Sequence, residues 1–76
     1  MNNLTSVKQG KRAMVTGLKE EERFISRTTA IGITIGGKLE VIRNEKKRPM
    51  LLYCRDTIIA MNRNECEKIE VEEIEG

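Results

Sequence analysis

Histidine and tryptophan are absent from this sequence, proline, phenylalanine, tyrosine and aspartate occur once each, and cysteine occurs twice. Each scarcity removes a class of chemistry. Without histidine there is no side chain whose ordinary pKa suits general acid–base work near neutral pH, and the commonest nitrogen ligand for transition metals is missing. Cys54 and Cys66 are separated by eleven residues and form no C-x-x-C or comparable cluster, so no metal site is expected. With no secretory signal pattern beside them, the two thiols are expected to be reduced, buried and inert, as in a cytoplasmic protein. Glycines are scattered, and the Gly36-Gly37 pair is a turn rather than a phosphate cradle. The longest apolar stretches, such as Thr57-Ile58-Ile59-Ala60-Met61, fall far short of the roughly 20 residues that cross a bilayer. A soluble, non-enzymatic chain with no cofactor and no direct membrane insertion is expected.

What is present is a short, highly charged chain. Its 76 residues leave room for one folding unit, residues 1–76, which at this size buries only roughly 60% of its unfolded surface. The net charge of +2 hides a division: residues 1 to 55 carry twelve Lys/Arg against five acids, and residues 56 to 76 carry two against seven. A solvated face explains such polarity most simply, although it can also steer a charged partner.

Along the chain, Leu4-Thr5-Ser6-Val7 follows three residues expected to fray and leads to a turn at Gly10. Ala13, Val15 and Gly17 alternate with Met14, Thr16 and Leu18, the pattern of a strand buried on one face. Glu20-Glu21-Glu22 suit a helix N-terminus. Phe24, Thr28 and Ile31, with Ile25 beside them, predict one apolar helical stripe of about three turns closed by Gly32 at C′. Three strands then follow: residues 38–43, the return at 50–54 after a polar loop, and 57–61 after an Arg55-Asp56 turn. Asn62 and Glu65 have capping-box spacing and predict a short helical turn through Cys66, and Ile69-Glu70-Val71 closes the pattern with a last strand. About five short strands, one helix after the first and a helical turn before the last hide their edges best by curling into a small barrel.

The order of these features is similar to the ferrous iron transport protein A family, FeoA. The resemblance runs through Leu4, Gly10, Val15 with Leu18, Arg27 leading to Ile31-Gly32-Ile33, Gly36, and the strand around Val41. It continues in Ala60-Met61 and the closing Glu65-Cys66 with Ile69 and Val71, so that nearly the whole chain takes part. It implies a mostly β, SH3-like small barrel that serves as a cytosolic accessory to FeoB, the membrane ferrous-iron transporter with a G-protein domain. A similar barrel is appended to iron-dependent repressors, and a stand-alone relative of that barrel is an alternative.

Residues for docking on a partner protein are therefore sought on the surface. Arg23 and Arg27, four apart on the helix, share one face. Lys46, Lys47 and Arg48 make the hairpin loop basic, and Tyr53 offers an amphipathic anchor of the kind interfaces favour. The same basic hairpin admits a second reading, a nucleic-acid-binding barrel. The scarcity of aromatic rings on which bases stack weighs against it.

Overall fold

In a computed structural model, residues 2–19 and 22–74 are described. Two residues, Asn2–Asn3, form strand β1, and a turn of 3-10 helix follows at Leu4–Ser6. Strand β2 spans Arg12–Leu18, helix α1 Glu22–Ala30, β3 Lys38–Arg43, β4 Met50–Cys54 and β5 Thr57–Met61. Helix α2, a single turn, covers Arg63–Cys66, and β6 covers Ile69–Ile74. The strands make one antiparallel sheet in the order β1-β6-β2-β3-β4-β5. The expected five strands correspond to β2 through β6. The sixth arises because Asn2 and Asn3, expected to fray, pair with Val71 and Glu70. The Asn3 side chain also accepts the amide of Thr5 at 2.9 Å, which caps the 3-10 turn and holds the terminus down.

Two bulges curl the sheet. One lies between Val15 and Gly17 opposite β6, the other between Val41 and Arg43 opposite β4. An extra residue in one strand raises the local twist and resets the alternation of its side chains. In β2 the reset has a visible result: Ala13 and Val15 are buried as expected, but beyond the bulge Leu18, not Gly17, packs against the core. The core itself draws on every strand from β2 to β6, with Leu4, Phe24, Ile33, Met50 and Leu52 among its largest members.

Helix α1 seals one end of this core. Phe24 and Thr28 are buried, and the Thr28 hydroxyl donates to the carbonyl of Phe24 at 2.9 Å, so this buried polar side chain is satisfied within its own helix. Ile25 and Ile31, expected on the same stripe, are exposed. The helix stops at Ala30, and Gly32 takes φ +99° as C′. Its amide reaches Thr29 and that of Ile33 reaches Thr28, the paired bonds of a Schellman turn. The reversal carries Ile33 into the core in place of Ile31. Glu20 and Glu21, expected to lead the helix, lie outside the described residues.

Helix α2 forms where the spacing of Asn62 and Glu65 places it, but without the expected capping box. Asn62 makes no side-chain cap bond. The turn is closed through its carbonyl, which accepts the amides of Glu65 and Cys66 at 3.0 Å each. Both cysteines are free and buried. Burial pushes the Cys66 thiol up to about 12, with Glu65 and Glu67 raising it further against the lowering effect of Arg63. The unfolded thiol releases its proton near its ordinary value of about 9 while the folded one holds it. Stability linked to this group is therefore complete below about pH 9 and is lost as pH rises toward about 12. Urea unfolding at about pH 8 and about pH 10.5 is expected to show wild type losing more stability than Cys66→Ala. Equal losses would refute the assignment.

Candidate docking site

The surface feature with the most structure behind it is a groove of about 220 Å³ between α1 and the outer edge of the sheet. Arg27, Thr28 and Ile31 form one wall, and Ala60, Met61, Asn62 and Glu65 the other. Local folding explains each wall. The Schellman turn that buries Ile33 turns Ile31 outward, 43% exposed, and the β-to-helix transition at Asn62 carries Glu65 across from α1. Glu65 then bonds Arg27 at 3.2 Å, so a carboxylate expected in a capping box instead bridges the groove. The bridge is open to water and holds the geometry more than it stabilises the fold, since exposed pairs contribute about 0–1 kcal/mol.

Basic residues border this groove on two sides. Arg23 lies with Arg27 on α1 in a shallow surface that also includes Glu22 and Ser26. On the other side, Asn62 and Glu65 are shared with a second depression lined by Lys47, Arg48 and Pro49 of the β3–β4 loop and by Arg63 and Asn64 of α2. Arg23, Arg27, Lys47 and Arg48 thus border one continuous surface. Lys46 is exposed in the same loop but lines neither depression.

The loop is held in place by Asn44, a residue that sequence reasoning passes over as part of a polar connection. Its amide donates to the carbonyls of Thr5 at 3.0 Å and Val7 at 2.7 Å. Its side-chain oxygen accepts from Arg63 at 2.8 Å, and Arg63 also donates to the Glu45 carbonyl at 3.1 Å. One side chain therefore ties the N-terminal segment, the basic loop and α2 together. The only hint in the sequence is that Asn suits loops whose backbone needs side-chain partners.

Tyr53 sits elsewhere. It lies toward the far end of β4 from the basic loop, next to the Arg55-Asp56 turn, with its outward face opposite Glu40 of β3 and Ile58 of β5. Its hydroxyl donates to Asp56 at 3.0 Å, and this bond, with the negative charge of Asp56 behind it, holds the phenol above its ordinary pKa. Tyr53 remains 41% exposed but faces a depression shared with Arg12, Lys38 and Glu40, not the groove. Arg55, absent from the expected set, closes one end of the α1 region: its side chain lies across Gly32 where the helix ends. Among the described residues no three His, Cys, Asp or Glu side chains gather as a metal would require. No helix there is long and apolar enough to cross a membrane.

A curled antiparallel sheet with a helix between its second and third strands, a one-turn helix before its last, and a groove between the two helices defines a small SH3-like barrel domain. The FeoA domain matches residues 2–73, and the chain belongs to that family of ferrous iron transport accessory proteins. A protein of Methanocaldococcus jannaschii provisionally named Fe(2+) transport protein A is 33% identical over 75 residues, covering 99% of this chain and 90% of the relative. The solution structure of an FeoA protein from Chlorobium tepidum is also 33% identical, with a TM-score of 0.87 over 99% of this chain and 72% of that one. The Stenotrophomonas maltophilia FeoA crystallised with zinc, described as an SH3 domain protein, shares the fold at 16% identity, with a TM-score of 0.81 over 95% of this chain and 91% of that one.

Proposed function

We propose that this protein is a non-enzymatic cytosolic adaptor of ferrous iron transport that docks on the cytosolic part of an FeoB-type membrane transporter. The observation that supports the reading is the groove between α1 and β5–α2, with cations on both borders and no acid–base or nucleophilic pairing among its lining residues. Such a surface suits recognition of a protein segment and offers a reaction nothing to work with. Arg23, Arg27, Lys47 and Arg48 serve as border contacts, and Lys46 adds long-range attraction. Tyr53, away from the groove, marks the margin of the footprint or lies outside it.

The rival reading, a nucleic-acid-binding barrel, loses support from the position of Tyr53. Its ring stands at the end of β4 remote from Lys46, Lys47 and Arg48, so the basic loop has no aromatic platform beside it on which bases could stack. The test is binding of the transporter's cytosolic domain, followed by NMR shift mapping, against binding of mixed oligonucleotides at physiological salt. Tight binding to the oligonucleotides with no shift from the transporter domain would overturn the proposal. Reversing charge at both Lys47 and Arg48 to glutamate is expected to weaken docking on the order of tenfold and to flatten its salt dependence. Border charges act mainly through association rate and screening.

A further inference from the structure

Strand β5 ends the sheet, pairing with β4 and, among the described residues, with nothing on its other side. The register shows which of its backbone groups are left over. A two-residue turn at Arg55 and Asp56, both at positive φ, joins β4 to β5 and sets Cys54 opposite Thr57 as the hydrogen-bonded pair next to it. Antiparallel pairs alternate, so Leu52–Ile59 and Met50–Met61 are also bonded, whereas Tyr53–Ile58 and Leu51–Ala60 are not. The amides and carbonyls of Ile58 and Ala60 therefore point away from β4, along the free edge. Among the described residues, no turn, loop or cap backbone bond involves either one. Edges of this kind are normally blunted by lysine, proline or a bulge. Strand β5 has none of these, and Ile58 is 63% exposed.

Ala60 and Met61 of this strand line the groove whose other wall is Arg27, Thr28 and Ile31 of the α1 region, so open backbone groups stand beside a partly apolar channel. We infer that this channel receives an extended, acidic segment of the partner as an added strand paired antiparallel or parallel to Ile58 and Ala60. The inference rests on the adaptor reading and names its mode. Charge selects the occupant. Arg55 stands at one end of β5 beside Asp56, Arg63 follows the other, and Lys47 and Arg48 lie next to Arg63, so the positive charge is concentrated at the Arg63 end. Within the groove the single acid, Glu65, is already paired with Arg27. A second copy of this chain, paired edge to edge about a two-fold axis, is distinguished by edge shifts that grow with protein concentration. A polyproline segment is disfavoured because such ligands dock on aromatic grooves, and no aromatic residue lines this one.

The test is amide NMR of the full chain with two probes: the transporter's cytosolic domain, and a short end-blocked peptide of alternating valine and glutamate. The expected result is that both probes shift the Ile58 and Ala60 amides and slow their hydrogen exchange by at least about tenfold. Ala60→Pro removes an outward donor while leaving the β4 ladder intact, and is expected to weaken both probes by at least about tenfold. Ile58→Glu is expected to do the same through charge, and serves if the proline variant does not fold. A transporter domain that binds and shifts only other residues overturns the strand mode while adaptor docking stands. A peptide that shifts the edge when the transporter domain shifts nothing keeps the strand mode and removes that transporter as partner. Silence of both residues toward both probes overturns the inference, as do shifts at the edge that grow with protein concentration alone.

Discussion

Replacing Phe24 by alanine is expected to remove about 3–5 kcal/mol of folding stability. Phe24 is the largest fully buried side chain among the described residues and joins α1 to a core otherwise built from strands, the N-terminal segment, Ile33 and Cys66. At roughly 0.05–0.15 kcal/mol per residue a chain this short holds about 4–11 kcal/mol in total, so the loss takes a large share of the margin. Its neighbours do not fill the space. Thr28 is tied to the helix backbone by its hydroxyl, and Ile25 and Ile31 face outward. Lys68, whose ammonium stands 5.3 Å from the ring centre, loses its aromatic partner as well. Urea unfolding followed by far-UV circular dichroism measures the effect. A loss below about 1 kcal/mol would show that α1 is held by something other than Phe24.

The second large effect is expected at Gly32, where valine should cost about 1–3 kcal/mol or more and disturb the docking groove. Two independent strains meet there. The backbone sits at φ +99°, a conformation side chains rarely adopt, and a Cβ would stand 3.2 Å from Cδ of Arg55. Gly10 separates them, because its φ is +88° while nothing lies within 4 Å of its notional Cβ. Gly10→Val therefore reports the backbone strain alone, and the excess at Gly32 reports crowding of Arg55. Combining Gly32→Val with Arg55→Ala should recover that excess. If the two glycine variants are equally destabilised, the close approach of Arg55 has no energetic weight. If Gly32→Val is stable, the Schellman turn is not what ends α1.

The strands were legible because alternation survives in short segments: Leu39 with Val41, Met50 with Leu52, and Ile69 with Val71 are each buried together. Alternation failed where the backbone departed from it. The bulge in β2 brings in Leu18 where Gly17 was expected, and nothing in the local residue pattern announces an inserted residue. The helix was legible from Phe24 and Thr28 and from Gly32, which closes it at C′ as expected; Ile31, one residue past Ala30, leaves the apolar stripe because the Schellman turn directs it outward. Of the proposed site residues, Arg23, Arg27, Lys47 and Arg48 border one surface, while Tyr53 stands apart on another. Their chain positions alone did not distinguish them. Asn44 and Arg55 were passed over because their roles depend on partners roughly twenty or more residues away.

By itself the sequence determined composition: no histidine, a single aspartate and two thiols eleven residues apart. Composition is local and survives any arrangement. Strand phases and turn glycines were likewise set locally, through side-chain alternation and positive φ. Only the tertiary structure decided that Glu65 bridges to Arg27 instead of capping its own helix. Only it left Ile58 and Ala60 with backbone groups directed at solvent, and parted Tyr53 from the basic loop. Those are properties of register, bulge and edge, fixed by how distant segments pack together, and no single segment carries them.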